Sequence, residues 1–122
     1  MLVAAFVILA FAVLLGSVLA ISHLQREDHA PSWSPAALHG LVAISGLSCL
    51  ALALRGPPRG LDQGTASFGL IAIALIALAA LVGVGLLAAR VFKRRIAGIM
   101  IGVHASLAVI GFVVLAAYIF AR

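Results

Sequence analysis

Four apolar runs, each about as long as a bilayer is thick, constrain this chain more than any other feature. A membrane-spanning helix needs roughly 17–25 mostly apolar residues. The runs extend from about Leu2 to Ile21, Pro35 to Leu54, Ser67 to Arg90 and Ile96 to Phe120. In lipid a backbone must satisfy its own hydrogen bonds, and a segment of this length does so as a helix. Only 9% of the residues are charged, where a soluble domain carries about 25%, so there is too little charge to cover a water-facing surface. The expected fold is all-α: residues 1–122 form a single four-helix transmembrane bundle, an integral, multi-pass membrane domain in contact with lipid. Four spans and three short links take up these 122 residues. Function is therefore expected inside the bundle or at its rims, not in a soluble catalytic domain.

The segments between the runs punctuate them. Ser22 to His29 is polar, and Trp33 has the character of an interface anchor. Ser34 followed by Pro35 reads as a helix start. Arg55-Gly56-Pro57-Pro58-Arg59-Gly60 stops the second run, because paired prolines cannot continue a helix. Val91-Phe92-Lys93-Arg94-Arg95 leaves room only for a tight, partly helical turn. Val18-Leu19-Ala20 resembles a signal-peptide cleavage site, but Met1 to Phe6 lacks the basic segment that should precede it, so the first run is expected to be a retained span.

The net charge of +5 comes from cations at the ends of apolar runs, where they anchor helices at headgroups. It does not point to nucleic acid, whose readers cluster Lys and Arg on a solvated face. Helix parity places the first and third links on one side of the membrane. That side holds Arg26, Arg90, Lys93, Arg94 and Arg95 against Arg55, Arg59 and Arg122 on the other, an excess that favours the cytoplasm. The expected location is a prokaryotic inner membrane. Cys49 is the only cysteine, which excludes an intrachain disulfide and a Cys₄ metal site; it reads as a small packing residue. The spans hold no acidic residue, which argues against a transporter or channel.

Leu38-His39-Gly40-Leu41-Val42-Ala43-Ile44-Ser45-Gly46-Leu47 matches Val103-His104-Ala105-Ser106-Leu107-Ala108-Val109-Ile110-Gly111-Phe112 at a constant offset. The match continues to Leu50 with Leu115 and Ala51 with Ala116. The chain therefore reads as two repeated helical hairpins related by a pseudo-twofold axis along the membrane normal. The second and fourth helices would be parallel and face each other across that axis.

An ionisable residue inside a membrane span is costly, and its default reading is functional. Counting from the run ends, His39 lies roughly 6 Å into its helix and His104 roughly 13 Å into its own. Gly46 shares a face with His39 and Gly111 with His104, and Ala43 and Ala108 complete each strip. A low-spin haem takes one imidazole on each axial position and needs small residues where its flat ring meets a helix. His39 and His104 are thus candidate ligands to one haem b iron, with Gly46, Gly111, Ala43 and Ala108 beside the ring. Arg94 and Arg95 are placed to pair with haem propionates.

In these residues the chain resembles small four-helix membrane b-type cytochromes, namely the cytochrome b561 family and the haem-anchor subunits of respiratory dehydrogenases. The likeness covers the second and fourth helices. It implies electron exchange with a quinone or redox partner, by an electron carrier or accessory subunit rather than by an enzyme acting alone. Other membrane subunits or further copies of the chain are the expected partners. A chlorophyll-type pigment or a metal ion is a second reading of the histidines. A cofactor-free structural or assembly subunit is the main alternative. His23 and His29 read as part of a solvated loop. Gly98, Gly102 and Ser106 form a small-residue stripe, expected to pack within the chain or against a second copy.

Overall fold

The structure, a computed structural model, describes residues 1–25, 33–94 and 98–121, with the backbone alone for Trp33. Four helices run through these residues: α1 (Leu2–Gln25), α2 (Trp33–Ala53), α3 (Phe68–Val91) and α4 (Gly98–Phe120). All four are long and apolar enough to cross a membrane, as the hydropathy of the sequence implies.

The ends differ from expectation by up to a turn. α1 continues through the polar residues Ser22 to Gln25, because a helix leaving the apolar layer keeps satisfying its own backbone. α2 already includes Trp33, Ser34 and Pro35; proline is tolerated in a first turn, where its missing N–H would have no partner. α3 ends in a Schellman cap. The Arg94 N–H donates to the Ala89 carbonyl at 2.7 Å and the Lys93 N–H to the Arg90 carbonyl at 3.1 Å. Lys93 takes the left-handed position at φ 52° where glycine is usual.

Helix pairing follows from small residues. His39 lies over Gly16 and Gly46 against Leu9, so α1 and α2 run antiparallel. His104 lies over Gly83, Gly111 against Ile76 and Tyr118 against Gly69, so α3 and α4 do the same. Packing within these two hairpins is extensive, while α1 meets α4 and α2 meets α3 along slighter seams. Phe6 of α1 stacks on Phe112 of α4 at 4.8 Å between ring centroids, sealing one seam. The helices follow one another around a ring, and α2 and α4 stand diagonally opposite.

The core is lopsided along the bundle axis. Ala5, Leu9, Leu50, Ala72, Ile76, Leu115 and Tyr118 form one buried cluster. Every buried residue lies at or beyond the level of Ala12 and Ala79 on the side of the α2–α3 link. Among the described residues none is buried on the side where α1 and α3 end. The link itself closes the packed end. Gly60 is buried at φ 69°, where a Cβ would collide with the Thr65 side chain; Thr65 bonds back to the Gly60 carbonyl through its N–H at 3.0 Å. The Arg59 N–H donates to the hydroxyl of buried Tyr118 at 3.3 Å. Elsewhere, polar groups on the helices look after themselves: the Ser17 and Ser45 hydroxyls donate to the Val13 and Leu41 carbonyls.

Leu50 and Leu115 are the largest side chains with no exposure at all. In lipid the unfolded reference is apolar too, so truncation costs mainly lost van der Waals contact. Leu50→Ala and Leu115→Ala should each lower stability by about 2 kcal/mol, the low end of the range for soluble cores. The lipid-facing Leu87→Ala should change it by less than about 0.5 kcal/mol. Unfolding in mixed micelles of mild and denaturing detergent measures all three.

Candidate cofactor site between the hairpins

His39 and His104 each stand six residues after the first residue of their helix, α2 and α4. At 1.5 Å per residue both are therefore about 9 Å along. Both histidines thus stand at the same position within the described part of their helices.

Each imidazole is held from the neighbouring helix of its own hairpin. His39 Nδ1 is 3.0 Å from the Ala12 carbonyl oxygen, and His104 Nδ1 is 2.8 Å from that of Ala79. A carbonyl can only accept, so Nδ1 carries the proton in both bonds. In the neutral ring Nε2 is then left with its lone pair free, the arrangement that carbonyl-bonded metal-binding histidines adopt.

Glycine permits the approach. A Cβ on Gly16 would lie 2.9 Å from His39 Cε1, and one on Gly83 would lie 3.0 Å from His104 Cε1. Each ring therefore rests directly on the backbone of the adjacent helix. The two rings meet across the diagonal of the bundle, with centroids 5.9 Å apart and planes at 81°. Two imidazoles sharing one metal through bonds of about 2 Å would have their centroids roughly 6 Å apart.

Between them lies a cavity of about 60 Å³. Its lining falls into like pairs: Leu9 with Ile76, Ala12 with Ala79, Val13 with Ala80, His39 with His104, Ala43 with Ala108, and Leu47 with Phe112. All but the histidines are apolar. Among the described residues no group of three or more His, Cys, Asp or Glu comes together.

The structure thus brings together His39, His104, Ala43 and Ala108. Gly46 and Gly111 sit one layer away. They are buried in the hairpin interfaces, where a Cβ would lie 2.8 Å from Leu9 Cγ or from Ile76 Cγ1. Arg94 is exposed at the end of α3. Arg95 lies outside the described residues, as do Arg26, Glu27, Asp28, His29 and Arg122. Gly102 and Gly98 meet no described atom within 4 Å, so this part of the small-residue stripe faces outward rather than into the bundle.

Sequence reading missed Ala12, Gly16, Ala79 and Gly83. A signal for them exists. Ala5, Leu9, Ala12 and Gly16 correspond to Ala72, Ile76, Ala79 and Gly83 at a constant offset, two residues longer than the offset between the histidine helices. A search for one uniform repeat passes over it.

No family model matches the chain, and neither a curated protein nor a solved structure matches it.

The environments of the glycines differ enough to be told apart by mutation. Gly46→Ala and Gly111→Ala press a methyl into buried Leu9 and Ile76 and should cost about 1–3 kcal/mol by overpacking. Gly102→Ala meets nothing and should be neutral or stabilise by up to about 1 kcal/mol through helix propensity. Thermal unfolding in detergent separates the two classes.

Proposed function

We propose that the chain is a small membrane cytochrome that holds one haem b between His39 and His104 and exchanges electrons with a quinone or a redox partner subunit. The supporting observation is the pair of imidazoles facing each other at 5.9 Å, each pinned through Nδ1 to a helix carbonyl. Each neutral ring thereby keeps a free Nε2 lone pair, and both rings line the same apolar cavity.

The donor set favours haem over a bare ion. Zinc sites take four ligands, and the described interior offers two. An uncompensated charge within a bilayer is also expensive, and the lining contains no carboxylate. A porphyrin brings four nitrogens and its own compensating charge. Size sets the demand on the protein: a cavity of about 60 Å³ is far below the ~300–1,000 Å³ of ligand pockets. Seating a macrocycle requires the slight seams α1–α4 and α2–α3 to part on the side of the histidines, where no described residue is buried. Ala43 and Ala108 would flank the ring, and Arg94, which follows α3, would pair with a propionate at that rim, as would Arg95 by its place in the sequence.

When bound, haem supplies reversible one-electron exchange. The residues' part is to hold the iron on two neutral imidazoles, to orient those rings through the Ala12 and Ala79 carbonyls, and to exclude water with an aliphatic lining. The like pairs around the cavity support a reading of α1–α2 and α3–α4 as repeats about a pseudo-twofold axis along the membrane normal. In that reading the histidines are equivalent ligands. A prokaryotic inner membrane, with the histidine side toward the cytoplasm, is part of the same proposal.

Expression with ample haem, purification and an absorption spectrum test it. One haem per chain is expected, with a Soret band and the sharp α-band of a low-spin reduced cytochrome. His39→Ala and His104→Ala should each lose the low-spin spectrum and at least tenfold in haem retention. A colourless wild-type protein that tolerates both substitutions would instead be a structural subunit.

A further inference from the structure

α3 ends in a cluster of cations. Arg90 lies in its last turn, and Lys93 and Arg94 are exposed just beyond it. The acidic residues of the chain do not balance them. Asp62 belongs to the α2–α3 link, at the opposite end of the bundle, and Glu27 and Asp28 lie outside the described residues. By sequence, this side carries Arg26, Arg90, Lys93, Arg94 and Arg95 against Glu27 and Asp28. Lys93 is the member that the local structure does not call for. It holds φ 52°, a conformation in which a Cβ is crowded and glycine is the favoured residue at a helix end. The turn itself is made by backbone, through the Arg94 and Lys93 N–H groups on the Ala89 and Arg90 carbonyls. A cation complements the carbonyl end of a helix, and Arg90 already supplies one.

The surface of α3 leading up to this turn is apolar. Leu81, Val84, Leu87 and Val91 are exposed along one face, and Phe92 is exposed at its end. At 1.5 Å per residue the stripe from Leu81 to Val91 is about 15 Å long. An apolar stripe that runs into exposed cations matches an amphiphile with an acyl chain and an anionic head. We propose that Lys93 and Arg94 form a headgroup site for an anionic phospholipid whose acyl chain lies along this face of α3. Charge complementarity selects an anionic lipid over a zwitterionic one. Lys93 then trades some stability of the turn for a charge held at headgroup level. The site does not depend on the haem reading, in which Arg94 serves a propionate. Lys93 has no part in that reading, and the test is built on it.

Native mass spectrometry of the purified full chain in mild detergent, offered equal amounts of dioleoyl phosphatidylglycerol and dioleoyl phosphatidylcholine, counts the lipids retained. Wild type should keep phosphatidylglycerol in clear preference. Lys93→Gln should lose about fivefold of that preference, the worth of one basic residue at an anionic surface, and Lys93→Arg should retain it. Lys93→Gly should lose the same fivefold yet unfold no earlier than wild type on heating, so that its loss does not come from a damaged fold. Equal uptake of the two lipids by wild type would overturn the site. So would an undiminished preference in Lys93→Gln, or an equal loss from Arg55→Gln at the other end of the bundle. Displacement of phosphatidylglycerol by millimolar inorganic phosphate would overturn the lipid assignment in favour of a free anion. A Lys93→Gly chain that melts well below wild type would overturn the reading of Lys93 as a residue the turn does not need.

Discussion

A hydrogen bond from an imidazole to a carbonyl that is already part of a helix sets the geometry of this bundle. In an apolar layer the His39 and His104 N–H groups have no water to donate to, and a buried donor without a partner costs about 1–3 kcal/mol. The Ala12 and Ala79 carbonyls provide the partner. Reaching them requires the neighbouring helix to come within a ring's thickness, which Gly16 and Gly83 allow. The same antiparallel register brings Gly46 to Leu9 and Gly111 to Ile76 further down each hairpin. One polar bond and one close apolar approach therefore fix each hairpin at two heights. The hairpins are the firm units, and the crossed pair of histidines follows from bringing them together.

The contrast in packing bears on how a ligand could enter. The seams between hairpins carry less contact than the interfaces within them, and the core cluster stops at the histidine level. Widening the space between the rings would separate α1 from α4 and α2 from α3 in the half of the molecule with least to lose. The imidazole–carbonyl bonds, internal to each hairpin, need not break.

Much of this was legible in the sequence because lipid makes hydropathy a direct reading of topology. The four spans, the matched histidines and the alanines Ala43 and Ala108 all follow from run length and helical spacing. Gly46 and Gly111 were less transparent. Seven residues bring them back to nearly the face of the histidines, but that face borders two neighbours. The upper part looks onto the cavity, while the lower part packs on α1 or α3. Pattern along one helix does not say which neighbour a given height will meet. The same limit hid Gly16 and Gly83, which lie in ordinary-looking apolar runs and acquire a role only from the ring placed against them.

The link between α2 and α3 adds a directional property. With Gly60 tucked inward beneath Thr65, and Tyr118 accepting the Arg59 N–H, that end is stoppered by the chain itself. The opposite end has no comparable plug among the described residues. Reaching the level of the imidazoles along the bundle axis from the side of the α2–α3 link would mean displacing the link itself.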